Sequence, residues 1–277
     1  MTSDSVKKRI FIVGAARSGT TLLQSMLAAH PEIYSFPETH FFTSTIPRQF
    51  IKRLLKIYGK KEINKIQTFL KRINSNIKED CLNRRYLSTK SWAGCLINVL
   101  DQISLINGYQ CWVEKTPMHL YYIPLIMSEK PDAKFIHIIR NGEDVVASLF
   151  EVSHKNPEYF GGSKSIDQCI RRWQRDIKIS KRYLSDKNHS FVRYTDLVEK
   201  PREVLKQLLT KISIPYDENV LNFKEAAETL ILSEERWKKN NKGNLRKGKR
   251  KFNTLFNETE KNYITRQVSQ VDLSVFP

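Results

Sequence analysis

No apolar run in this 277-residue chain approaches the roughly 20 residues that a membrane-spanning helix needs. Cysteine is scarce as well: Cys81, Cys95, Cys111 and Cys169 are scattered, with no C-x-x-C pair. With only 6 histidines and no ligand-like spacing, no metal site is expected, and the thiols are expected to be reduced and mostly buried. Internal repeats and a clean interdomain linker are missing too. Acid is in short supply, with 29 Asp and Glu against 47 Lys and Arg, a net charge of +18. That imbalance implies an anionic partner, whether a small polyanion, an acidic polymer, nucleic acid or membrane headgroups. No DNA or RNA recognition motif accompanies it, so nucleic acid is not expected. The N-terminus, MTSDSVKKRIFIVGA, has basic residues before an apolar run and so faintly resembles a signal peptide. The run is too short and leads straight into a glycine loop, so a buried first strand and a cytoplasmic location are expected.

What is present is an alternation of strand-length apolar runs with helical patterns. RIFIV (9–13), CWVEK (111–115), KFIHII (134–139) and SFVRY (190–194) have the length and β-branched content of buried strands. Helical periodicity follows the first through Leu22, Leu23, Met26 and Leu27, until His30-Pro31 stops it. An aromatic helix is expected from Pro117 to about Met127, another through Val145 and Leu149, and a third opened by Pro201. Such alternation predicts a single α/β domain over residues 1–277. Its parallel sheet would be flanked by helices on both faces, in three layers, with ligands at the carboxyl ends of the strands. Two stretches break the rhythm. Thr43 to Gly108 is mostly helical in pattern and rich in Lys, Arg and Asn, and is expected to be an insertion. From Arg236 to Lys251 the chain is strongly basic and without acid, which suits either a solvated loop or a phosphate clamp.

Residues 14–21 read G-A-A-R-S-G-T-T, the frame G-x-x-x-x-G-K-[ST] of a phosphate-binding loop with Thr20 in place of the lysine. Between a strand and a helix, the loop's backbone N–H groups and the helix N-terminus form an anion site. In nucleotide hydrolases that lysine neutralises the terminal phosphates, and an acidic residue at another strand end helps to hold magnesium. Here the strand KFIHII ends in Arg140. Arg17 lies inside the turn and Ser18, Thr20 and Thr21 supply hydroxyls, a cradle suited to a short anion that needs no metal.

FIVGAARSGTTLLQSML resembles the 5′-phosphosulfate loop of the sulfotransferases that use 3′-phosphoadenosine-5′-phosphosulfate (PAPS). FIHIIRNGEDVVASLF resembles the second signature of that family, an arginine at a strand end with a serine eight residues later, here Arg140 and Ser148. Eight residues are about two helical turns, so the serine returns to the helix face nearest the strand end. The resemblance implies a P-loop-like fold and in-line transfer of a sulfuryl group from PAPS to an acceptor hydroxyl, leaving adenosine 3′,5′-bisphosphate. It places Arg17, Ser18, Gly19, Thr20 and Thr21 on the 5′-phosphosulfate and Arg140 with Ser148 on the 3′-phosphate. Tyr194 would lie beside the adenosine, and Arg246, Lys247 and Gly248, in LRKGKRKF, would close over the 3′-phosphate. The downstream G-D-W of cytosolic members is absent.

For catalysis the resemblance points to Arg17, to Lys115 in EKTPMHL as the cation at the bridging oxygen, and to Glu38 in SFPETHFF as the general base. That glutamate belongs to the branch containing tyrosylprotein sulfotransferases and many bacterial enzymes. Cytosolic small-molecule members carry a histidine two residues after the lysine, where this chain has Pro117. His40, two residues from Glu38, is the competing base. The acceptor stays open among carbohydrate, lipid, tyrosine and metabolite hydroxyls. The other reading of the loop is a divergent P-loop phosphotransferase.

Overall fold

The computed structural model describes residues 5–54, 56–75, 77, 82, 85–230 and 250–277. Five strands, β1 (Lys8–Gly14), β2 (Tyr34–Ser35), β3 (Cys111–Lys115), β4 (Lys134–Ile139) and β5 (His189–Arg193), form one sheet in the order β2-β3-β1-β4-β5. Every pairing is parallel. The four strands legible in the sequence form as expected. The two-residue β2, too short to show a hydrophobic period, is an addition.

The helices in chain order are α1 (Thr20–Ala28), α2 (Phe41–Thr45), α3 (Phe50–Leu54), α4 (Lys60–Arg72), α5 (Thr89–Ile106), α6 (Ile123–Glu129) and α7 (Gly142–Lys155). They continue with α8 (Pro157–Phe160), α9 (Ile166–Lys181), α10 (Tyr194–Glu199), α11 (Pro201–Lys211), α12 (Lys224–Leu230), α13 (Arg250–Leu255) and α14 (Glu258–Val268). The stretch expected as one helix from Pro117 divides in two: a 3-10 helix at Pro117–Tyr122 runs into α6, where Pro124 sits in the first turn.

β1 shows why the sheet is covered on both sides. Ile10, Phe11, Ile12 and Val13 are all fully buried, the near-continuous apolar run of a central parallel strand. Successive side chains point to opposite faces. Phe11 and Val13 join a core with Trp112, Phe135 and α5, while Ile10 and Ile12 join one with Leu23, Met26 and Leu27 of α1 and with α11. Burying each of those α1 side chains is worth about 1.5–3 kcal/mol, which makes packing, not capping, the main stabiliser of this short helix.

Because β2 pairs with β3, the helices of residues 43–108 lie in the crossover between these two strands. Ser88 caps α5, accepting from the Ser91 N–H at 3.0 Å. A buried ion pair then fastens α5 to the sheet: Arg9 on β1 donates to Asp101 on α5 through Nε (2.9 Å) and Nη2 (2.8 Å). Trp112 on β3 donates its indole N–H to the same carboxylate at 2.9 Å. Cys95, Cys111 and Cys169 are buried, as expected, and burial pushes the Cys111 thiol up to about 12. Cys81 lies outside the described residues.

Between α9 and the sheet, His137 Nε2 meets His189 Nδ1 at 2.8 Å, and His137 Nδ1 meets Ser180 Oγ at 3.0 Å. The Tyr183 ring stacks on His189 at 4.3 Å. Burial disfavours charge on both rings, lowering His137 well below the usual histidine range and His189 to about 4. Between about pH 6.5 and pH 4 the unfolded chain therefore binds more protons than the folded one, and stability falls as pH falls through that window. His189 alone contributes a loss of about 3 kcal/mol, which urea unfolding at stepped pH measures; a flat profile from pH 7 to 4 would contradict the buried, neutral pair.

Candidate active site

β1 lies between β3 and β4: the chain passes from β1 to the β2 side and later crosses back from β3 to β4, a reversal that opens a crevice at the carboxyl ends of these three strands. The loop after β1, Lys115 at the end of β3 and Arg140 just beyond β4 all meet there. Arg17 (φ 74°) and Gly19 (φ 97°) are left-handed, turning the chain sharply from β1 into α1. A Cβ on Gly19 would lie 2.3 Å from the Tyr194 ring, so the absent side chain is what lets that ring seat against the loop. α1 starts without a side-chain cap, which leaves its first-turn N–H groups available to an anion. Ser18 Oγ is buried without a hydrogen-bond partner among the described residues. A buried hydroxyl left in that state is costly unless something polar reaches it, and an anion in the turn would.

Two arginines stand together over this turn. Arg140 Nη1 approaches the Arg17 carbonyl oxygen at 3.4 Å, and Arg17 Nε donates to Ser148 Oγ at 3.2 Å. Arg140 is held from three sides. Its Nε and Nη2 donate to Asp144 Oδ2 at 3.3 and 3.1 Å, its guanidinium lies 4.1 Å from the centre of the Tyr194 ring, and Trp173 donates to its carbonyl oxygen at 3.1 Å. Asn141 caps α7 by accepting from the Asp144 N–H at 2.9 Å, which seats Asp144 one turn above Arg140. Burial lowers the Arg17 pKa below its ordinary value, Glu38 opposes that shift and Arg140 adds to it. A guanidinium stays charged regardless, so the strain on Arg17 is that of a buried cation beside another cation.

On the other side of β1, Lys115 donates to Glu38 Oε1, and His40 Nε2 lies 3.2 Å from Glu38 Oε2. The two candidate bases are therefore in contact with each other. Beneath them a buried network fixes the segment. The Glu114 carboxylate accepts from Thr39 N (3.3 Å), Thr39 Oγ1 (3.0 Å), Thr116 Oγ1 (2.5 Å) and His119 Nδ1 (2.8 Å). Thr116 Oγ1 in turn accepts from the His40 N–H at 3.3 Å, where His40 is left-handed at φ 53°. Burial alone would raise the Glu114 pKa, but the His119 ring and the hydroxyls of Thr116 and Thr39 hold it below the ordinary value. The His119 ring packs among Phe11, Phe42 and Tyr122.

The structure thus brings together Arg17, Ser18, Gly19, Thr20, Thr21, Arg140, Ser148 and Tyr194, with Glu38, His40 and Lys115 at the neighbouring strand end. Ser148, expected beside Arg140, bonds to Arg17. Arg246, Lys247 and Gly248 lie outside the described residues. Sequence reading missed Asp144, Thr39 and Thr116. The Arg140–Asp144 pair carries an i,i+4 signal. Nothing local links Thr39 to Glu114, which are 75 positions apart.

Residues 9–218 match the model of the sulfotransferase family, and the chain belongs to that family. It is 26% identical over 219 residues to a protein-tyrosine sulfotransferase of Drosophila melanogaster, covering 78% of this chain and 40% of that protein. It is 27% identical over 219 residues to protein-tyrosine sulfotransferase 1 of Homo sapiens, covering 78% and 54%. The chain thus spans about half the length, or less, of these curated relatives. Among solved structures it is similar to a sulfotransferase domain from the curacin biosynthetic pathway, with a TM-score of 0.56, 21% identity, and 95% and 97% of the two chains covered. It is also similar to a mouse sulfotransferase complexed with PAP, with a TM-score of 0.55, 14% identity, and 97% and 86% covered. The likenesses establish the three-layer, P-loop-like fold.

Removing the buried carboxylate is the sharpest test of how the Glu38 segment is held. Glu114→Ala strands four donors at once and is expected to cost about 3–5 kcal/mol of stability in urea unfolding. A loss below about 1 kcal/mol would show that the network is dispensable.

Proposed function

We propose that this chain transfers a sulfuryl group from PAPS to an acceptor hydroxyl. The observation that carries the reading is the approach of Arg140 to the backbone of Arg17 at 3.4 Å. It places the two candidate phosphate-binding arginines in one crevice, beside the contact between Glu38 and Lys115. The buried Ser18 hydroxyl and the uncapped start of α1 fit the 5′ end of such a nucleotide. Arg140 fits its 3′-phosphate, and Tyr194, under Arg140, offers a flat apolar face to a base. The product-type ligand PAP in the mouse structure accords with this donor.

When bound, the donor supplies an activated sulfuryl group on a phosphate leaving oxygen. The residues of the chain do the rest. Arg17 and the loop N–H groups orient the anion and offset its charge. Lys115, a cation at the end of β3, stabilises charge growing on the leaving oxygen. Glu38 takes the acceptor proton as the new oxygen–sulfur bond forms, with His40 positioned against its second oxygen. The tyrosine hydroxyl on which the relatives' names turn is one acceptor of the required chemistry. A divergent nucleotide-dependent phosphotransferase is not favoured by the family, and Arg140 stands at the strand end where such enzymes hold their metal.

Calorimetry with adenosine 3′,5′-bisphosphate, against ATP with and without magnesium, tests the donor. Micromolar binding of the bisphosphate that is indifferent to magnesium is expected, and a preference for magnesium–ATP would overturn the reading. Arg140→Ala is expected to weaken the bisphosphate by about 2 kcal/mol, roughly thirtyfold, through loss of a charge-assisted contact. Glu38→Gln is expected to leave that affinity intact while removing turnover. Undiminished turnover in the glutamine variant would transfer the base role to His40.

A further inference from the structure

Of the seven large hydrophobic side chains that stand exposed among the described residues, four come from α3 and the two segments bridged beside it. They are Ile51 (71% exposed), Leu54 (66%), Ile57 (61%) and Leu87 (78%). Their proximity follows from the backbone. Tyr58 and Tyr86 form an antiparallel bridge, each N–H donating to the other's carbonyl at 2.9 Å, and both rings are buried. In extended chains neighbouring side chains alternate, so Ile57 and Leu87, which face each other across the bridge, point outward. Thr89 Oγ1 donates to the Arg53 carbonyl at 3.0 Å and meets Tyr58 Oη at 2.8 Å, tying the end of α3 to the same spot. Ile51 and Leu54 are three apart on α3 and share one side of it.

Cations surround this patch. From Thr39 to Lys61 the sequence has no acidic residue and six Lys or Arg: Arg48, Lys52, Arg53, Lys56, Lys60 and Lys61. Lys52, Lys60, Lys61 and Arg85 are exposed. The first acid after them, Glu62, is buried and paired with Lys56 at 3.0 Å.

We propose that this face docks on an anionic lipid bilayer. Exposed aliphatic side chains with exposed cations beside them suit insertion among anionic lipid headgroups. A second copy of this chain would bring like charges face to face across a two-fold axis, which costs free energy. Aliphatic side chains for the acyl boundary, ringed by lysine and arginine for headgroup phosphates, form the two-part signal that holds a peripheral protein on an anionic membrane. The proposal stands independently of the reaction assigned above.

Because a +18 chain is drawn to any anionic surface, the test must separate insertion from charge. The full chain is sedimented with vesicles of phosphatidylcholine alone and of phosphatidylcholine mixed with phosphatidylglycerol. Wild type is expected to bind the mixed vesicles and not the neutral ones. The triple variant Leu54→Ser, Ile57→Ser, Leu87→Ser keeps every charge and alters only exposed side chains. Its affinity is expected to fall at least about tenfold with an unchanged melting temperature. Lys52→Glu with Arg85→Glu is expected to weaken binding as well, leaving the Ser variant's defect to be explained by insertion alone. Three results would overturn the proposal: no binding of wild type to anionic vesicles, equal binding by the Ser variant, or a dimer in sedimentation equilibrium that the Ser variant dissociates.

Discussion

Parallel pairing of β1 with β3 on one side and β4 on the other is the constraint on which the candidate site depends. It sets three strand ends about 4.8 Å apart from neighbour to neighbour, all pointing the same way. Three cations therefore arrive in one crevice from three distant parts of the chain. Lys115 comes from β3, Arg140 from just beyond β4, and Arg17 from the turn after β1. Without the shared direction of the strands, the same residues would be dispersed charges on a basic surface.

Crowding like charges costs free energy, and the molecule offsets it with carboxylates placed one by one. Asp144 holds Arg140, and Glu38 meets Lys115. Glu114 acts at one remove. Its buried carboxylate gathers the hydroxyls of Thr39 and Thr116, the immediate neighbours of Glu38 and Lys115. The positions of the proposed base and of the cation proposed for the leaving oxygen are thus steadied by one side chain on β3, facing away from the crevice.

Much of this was legible beforehand for a plain reason. β1 and β4 are central strands written as near-continuous apolar runs, β3 and β5 keep shorter apolar segments, and the glycine turn with Arg17, Ser18 and two threonines is contiguous. Arg140 and Ser148 are legible through the family resemblance, with whose eight-residue spacing helical geometry is consistent. The rest depends on contacts between distant residues. β2 has two residues and no period, so the helices of residues 43–108 look like an addition to the sheet when they are a crossover, with α5 part of the core. The pairing of Ser148 with Arg17, 131 positions apart, has no local signature. Nor does the seating of Tyr194 on Gly19.

The sequence alone determined the parallel α/β class, the glycine turn after β1 and the identity of the charged residues, because each is encoded within a few neighbouring positions. Only the tertiary structure decided which charges face one another: Glu38 with Lys115 and His40, Arg140 with Asp144 and Tyr194, Arg17 with Ser148. It also decided that Ile57 and Leu87 point outward together. Such pairings come from sheet order and from helices packed across it, and a one-dimensional pattern has no means of recording either.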